Sequence, residues 1–258
     1  MLDPATVLAD LPAWAFAAIL LIARIGCACM LLPGIGEAEL PATVRTLFAC
    51  AFAALVFPSV APLMPPVPSD VPRTVMMVAA EVFTGLWLGW LARLIMMALP
   101  MAGQIVAIAI GTTNVLQPDA MLGGGASALS RMLGLAAPVL VMAAGLHALP
   151  LSALAGSYQL VPPGQFLPMA ETTDAVVGAV GEAFALALRL SAPFLMAAVL
   201  FHASLGLVAR LVPQLQTYFA AVPGQIAGGL ALLGIAILAI SNAWLDAAQH
   251  SLAAMPGL

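Results

Sequence analysis

The sequence predicts an all-α, polytopic membrane or membrane-assembly protein built from kinked helical hairpins. Two compositional facts and one pattern lead there. Of 258 residues, 64% are apolar and only 7% are charged, against about 45–50% and about 25% in a soluble domain. A chain with a mean hydropathy of +1.13 cannot cover its core with a wettable surface, so lipid or partner subunits must solvate it. The pattern is a series of apolar runs near the ~20 residues that a spanning helix needs, separated by Pro- and Gly-bearing connections.

Taken in order, the runs are Ala13–Leu32, Leu47–Leu63, Val75–Leu99, Met132–Leu154, Ala175–Val212 and Ile226–Trp244. Ala175–Val212 is too long for one simple span and holds Pro193, so it reads as a bent helix or two stacked pieces. Met101–Leu116 follows Pro100 and is too short to cross alone, which suggests a half-helix returning on its neighbour. The connections are Pro33–Thr46, Met64–Thr74, Gln117–Arg131, Ala155–Asp174 and Pro213–Gln225. Pro213, Pro223 and Gly224 are expected to break the helical run in the last of these.

Charge and ligand chemistry narrow the function. All seven basic residues are Arg, the formal net charge is −4, and no basic cluster offers a nucleic acid anything to bind. Cys27, Cys29 and Cys50 form no Cys-x-x-Cys, and His147, His202 and His250 share no motif. Neither a metal site nor a cofactor is therefore expected.

The ionised groups inside apolar runs are more informative. Arg24, Glu81, Arg93, Glu182 and Arg189 lie within or beside such runs, where each ion at mid-bilayer costs roughly 2.5–3.5 kcal/mol on insertion scales. They must pair, reach an interface or face water. Glu81 and Arg93 are about 18 Å apart on a straight helix and cannot meet. Glu182 and Arg189 share a face but lie about 10 Å apart axially, too far for a ready bond. Partners on other helices, partners on other subunits, or an aqueous path remain open for this set, while the arginines could instead snorkel. Gly85-x-x-x-Gly89, one turn beyond Glu81, suits close helix packing, as does Gly224-x-x-x-Gly228.

Gly111–Gly125 reads GTTNVLQPDAMLGGG. With Pro118, Asp119 and the successive Gly123, Gly124 and Gly125, it cannot be helical throughout. It is either a connector or a mobile gate, since irregular backbone at membrane depth survives only beside protein or water.

Four ordered signatures resemble the FliR family, the R subunits of the flagellar type III export gate. The first is Ala23-Arg24-Ile25, Pro33-Gly34-Ile35-Gly36, Pro41 and Val44-Arg45. The second is Glu81-Val82, Gly85, Leu88-Gly89 and Arg93, leading to Ala102-Gly103-Gln104. The third is Gly145-Leu146-His147 with Leu154 and Ser157-Tyr158. The fourth is Leu205-Gly206-Leu207, Arg210, Pro213-Gln214-Leu215, Phe219 and Pro223. Gln117-Pro118-Asp119 stands where the family often has Asp-Pro, and Gln216 where it often has Asn.

The resemblance implies a non-enzymatic secretion-channel subunit, with a FliP-like part at roughly 1–174 and a FliQ-like part at roughly 175–258. It implies assembly with FliP and FliQ, FlhB at the cytoplasmic mouth, and exported flagellar proteins as substrates. It places the chain in the bacterial inner membrane at the flagellar basal body. The matching plug stretch holds Gly111, Thr112, Asn114, Pro118, Asp119, Met121, Gly123, Gly124 and Gly125. Arg24, Glu81, Arg93, Gln104, Glu182, Arg189, Arg210 and Gln214 become candidates for buried-charge or subunit contacts. Pro100, Pro193, Pro213 and Pro223 become the expected helix breaks.

Three alternatives are set beside this reading. The T subunit of virulence type III secretion is closely similar to the flagellar R subunit. A secondary transporter would use Glu81 and the breaks at Pro100 and Pro193. A rhomboid-like protease would use Ser127 in Gly125-Ala126-Ser127-Ala128, with His147 or His202 as base.

Overall fold

The computed structural model describes residues 4–112, 126–211 and 217–257, and among them it contains seven α-helices and no strand. They are α1 (Pro4–Cys29), α2 (Ala42–Val60), α3 (Val71–Ala109), α4 (Ala128–Ala143), α5 (Ala148–Leu160), α6 (Met169–Leu211) and α7 (Thr217–Ala253). A 3₁₀ turn, Ala61–Leu63, follows α2. Five helices are long and apolar enough to cross a membrane, and α4 with α5 can form a sixth, broken span.

The prolines behave differently from the sequence expectation. Pro100 does not start a separate half-helix, because α3 runs unbroken through it to Ala109. Proline removes its own N–H and so takes the i+4 donor from the Met96 carbonyl; the Ser130 hydroxyl of α4 bonds a different group there, donating to the Pro100 carbonyl at 2.8 Å. Pro193 lies inside one continuous 43-residue α6, which leaves the single-helix reading of that run and removes the one of two stacked pieces. Pro223 lies inside α7, which begins at Thr217 rather than after Gln225. Pro213 and Gln214 lie outside the described residues.

The break comes instead at Gly145, inside a run expected to be one span. Helices α4 and α5 are bent by 72°, and Gly145 takes φ +72°, in the left-handed region that glycine adopts without steric cost. Its N–H donates to the Met142 carbonyl at 3.2 Å, which closes the end of α4.

The chain divides into two compact units. One comprises Met1–Leu94, Val141–Ala179 and His250–Leu258; the other comprises Ile95–Leu140 and Val180–Gln249. In the first, α1 packs against α2, and Leu20, Leu21, Ile25, Leu88, Leu154 and Tyr158 are buried. Here α1 also meets α3 through Gly85: a Cβ at that position would collide with the Arg24 carbonyl. Gly89 repeats the contact one turn on, where a Cβ would stand 2.8 Å from the Ala28 carbonyl. The chain end is held in a similar way, since a Cβ on Gly156 would strike the carbonyl of Gly257.

In the second unit Trp244 is fully buried and donates its indole N–H to the Ile95 carbonyl at 3.3 Å. Gly103 brings α3 against α4, a Cβ there standing 2.9 Å from Ser130 Cα. Gln225 of α7 donates its amide to the Ala109 carbonyl at the end of α3, at 3.0 Å.

Helix length is the fold's functional statement. At 1.5 Å per residue, α3, α6 and α7 are about 58, 64 and 55 Å long, whereas the hydrocarbon core is about 30 Å thick. Each greatly exceeds the bilayer, so much of its apolar surface needs cover other than lipid.

Candidate functional site

The sequence-flagged charges separate into an inward and an outward set. The inward set is built on α1, α3, α5 and the loop after α5. Arg24 is wholly buried, as is Glu81 on α3, and the glycine approach at Gly85 brings their helices within reach. Arg24 Nε donates to Glu81 Oε2 at 2.7 Å and Nη2 donates to Oε1 at 3.0 Å, the two-pronged geometry that suits a guanidinium and a carboxylate. Nη1 donates to Ser157 Oγ at 3.2 Å, and Nη2 also donates to the Val161 carbonyl at 3.1 Å. The Gly164 N–H donates to Glu81 Oε1 at 2.6 Å. Tyr158 adds its ring face, with the guanidinium carbon 4.1 Å from the centroid. Of the options the sequence left open for Glu81, the structure provides the in-chain one. The separation of 57 residues hid that pairing, although the glycines one and two turns beyond Glu81 were its one visible sign.

Arg93 also pairs inside the chain. Its Nη2 donates to Glu37 Oε2 at 3.0 Å and its Nη1 to the Leu31 carbonyl at 3.4 Å. Glu37, which the sequence reading did not single out, thereby ties the turn after α1 to α3. The site is partly exposed, with the side chains 32% and 17% accessible, so this pair is screened more than Arg24–Glu81.

The outward set lies on α6. Glu182, Arg189 and Arg210 are exposed, and among the described residues neither Glu182 nor Arg189 makes an ion pair. Their spacing is that of one helical face, and no bond joins them. Exposed apolar side chains surround them, including Val180, Phe184, Leu188 and Met196. Arg210 sits in the last turn of α6, where a cation complements the helix dipole.

With this geometry in place, similarity to known proteins becomes decisive. Residues 15–251 match the model of the family described as bacterial export proteins, family 1. The flagellar biosynthetic protein FliR of Caulobacter vibrioides is 32% identical over 231 residues, covering 90% of this chain and 92% of that relative. This chain belongs to the FliR family. Its FliR relatives also include those of Bacillus subtilis, 25% identical over 83% of both chains, and of Aquifex aeolicus, 25% identical over 78% of this chain and 77% of the relative.

Family membership makes the chain an export protein rather than an enzyme. Together with the long apolar helices, it places the chain in the bacterial inner membrane at the flagellar basal body. Among the described residues, no group of three His, Cys, Asp or Glu could hold a metal ion, and Cys27, Cys29 and Cys50 are free thiols.

Two further positions in this FliR-family chain have local roles. Ser127, the nominal protease nucleophile, caps α4: its Oγ accepts the Ser130 N–H at 3.1 Å. Its own N–H donates to Gln104 Oε1 at 2.8 Å, so Gln104 links α3 to the start of α4. The His202 ring, also weighed as a base for that serine, is turned to the Ala198 carbonyl at 2.7 Å. Of the plug stretch, Gly111 (φ +79°) and buried Thr112 are described. Asn114, Pro118, Asp119, Met121, Gly123, Gly124 and Gly125 lie outside the described residues.

Proposed function

We propose that this chain is a structural and gating subunit of the flagellar type III export channel, through which unfolded flagellar proteins cross the inner membrane. It assembles with FliP- and FliQ-type subunits, contributing a FliP-like part at roughly 1–174 and a FliQ-like part at roughly 175–258. An FlhB-type protein sits at the cytoplasmic mouth. The observation that carries the reading is likeness to FliR along nine-tenths of both chains. Helices up to about 64 Å long, with exposed charges among exposed apolar side chains, support an assembled rather than solitary state.

Within that assembly, residues 111–125 close the conduit at rest and move aside for substrate. The glycines of that stretch support this, because they permit backbone states closed to other residues.

Purification of a tagged chain in mild detergent, with mass measurement of the intact particle, tests the assembly. Unlike hydrophobic subunits in a fixed ratio are expected. A solitary chain that carries a small solute into liposomes would instead establish a transporter. For the gate, deleting residues 119–123 should make cells leaky to small solutes, and an unchanged leak rate would remove that role from the segment.

A further inference from the structure

We infer that the outward face of α6 bearing Glu182 and Arg189 docks a helix of a different, apolar chain. That helix sets a basic side chain against Glu182 and an acidic one against Arg189. The inference rests on the assembly reading above and adds the chemistry of one of its contacts.

Helix α6 has two distinct faces. Ala183, Ala187, Leu190 and Phe194 are buried, at the four- and three-residue steps of a single inward stripe. Glu182, Arg189 and Met196 recur every seven residues on an adjacent, exposed stripe, which is the period at which one helix meets another at a shallow crossing angle. Gly181, beside Glu182, leaves open space where a Cβ would be, so a partner backbone can approach there. The two charges are two turns apart, so one partner helix reaches both.

Electrostatics identifies the occupant. Neither ion has a counter-charge among the described residues, and an acyl chain supplies none. An apolar helix carrying opposite charges at the same spacing neutralises both while covering Phe184, Leu188 and Met196.

A second copy of this chain fits less well. In an antiparallel pair that sets Glu182 against Arg189 and the reverse, Leu200 of one copy faces Glu171 of the other, and Ala197 faces Asp174. Exposed Leu207 and Leu211 then face positions 164 and 160, which precede the start of α6 at Met169. That register places acids on apolar surface and leaves the end of the helix bare.

The test is co-expression of the tagged full chain with its FliP- and FliQ-type subunits, extraction in mild detergent, and measurement of the subunits recovered per tagged chain. Glu182→Arg and Arg189→Glu should each lower recovery tenfold or more, while the variants expressed alone keep the melting temperature of the parent. The double exchange E182R/R189E should recover no more than either single variant. Restoration by the double exchange would overturn the inference in favour of a second copy, because both members of such a pair would be exchanged together.

Water exposure is tested by E182C and R189C in the assembled particle. Labelling by a membrane-impermeant maleimide should be at least tenfold slower than in the solitary variant. Equal labelling rates, or parental recovery for both single reversals, would also overturn the inference. If the parent chain itself recovers no subunits, the assembly reading fails first, which separates that failure from a failure of the charge contact.

Discussion

Arg24 and Arg189 are the same residue type, each within a long apolar helix, and they have opposite environments. Arg24 is fully buried and donates to a carboxylate, a hydroxyl and a carbonyl of its own chain. Arg189 is exposed among leucines with no ion pair among the described residues. A charge in an apolar run therefore has two meanings. It either organises the chain's own packing or identifies a surface that another molecule completes. Hydropathy cannot distinguish the two; three-dimensional pairing does.

The largest test of this contrast is Glu81→Ala. Removing one partner leaves the Arg24 guanidinium buried and uncompensated, which costs about 3–5 kcal/mol. The loss should appear as a large fall in the melting temperature of the solitary chain in detergent. Replacing both ions with apolar residues of similar size, R24M/E81L, should recover much of it. If the double variant were as unstable as Glu81→Ala, the ion pair itself, rather than an orphaned charge, would be the source of the loss.

Next in size is Gly85→Leu, which forces the α1 and α3 backbones apart where the Arg24 carbonyl now fills the space of a side chain. Overpacking of this kind costs about 1–3 kcal/mol, to be read in the same melting assay. An unchanged melting temperature would show that the close approach is not needed to bring Arg24 to Glu81.

Glu37→Ala should matter less. The Arg93–Glu37 pair is partly solvated, and such pairs contribute roughly 0–1 kcal/mol. Raising the salt concentration should shrink its effect and leave that of Glu81→Ala nearly intact. Equal salt sensitivity would erase the distinction between the two in-chain pairs.

Much of the fold was legible because apolar run length is a strong signal. Each expected span is built on helix, although Met132–Leu154 is divided between α4 and α5, and the positions flagged for close packing at Gly85 and Gly89 face the α1 backbone. Proline was the poorer guide. Pro100, Pro193 and Pro223 lie within continuous helices, so the loss of a single backbone donor ended none of them. The true bend, at Gly145, depends on one residue's left-handed φ, which its sequence neighbourhood did not announce. At the candidate site, the sequence marked Arg24 and Glu81 as charges within apolar runs but did not show that they pair. Glu37 escaped notice because it lies in a connection, where an acid is unremarkable, and only the fold brings it to Arg93.

The most direct measurement is thermal unfolding of the solitary chain in one detergent, comparing the parent with Glu81→Ala and Glu182→Ala. The expected result is a large loss of stability for Glu81→Ala and a change within about 0.5 kcal/mol for Glu182→Ala. Equal losses for the two would contradict the division into a charge cluster that the chain completes itself and a charged face that it does not.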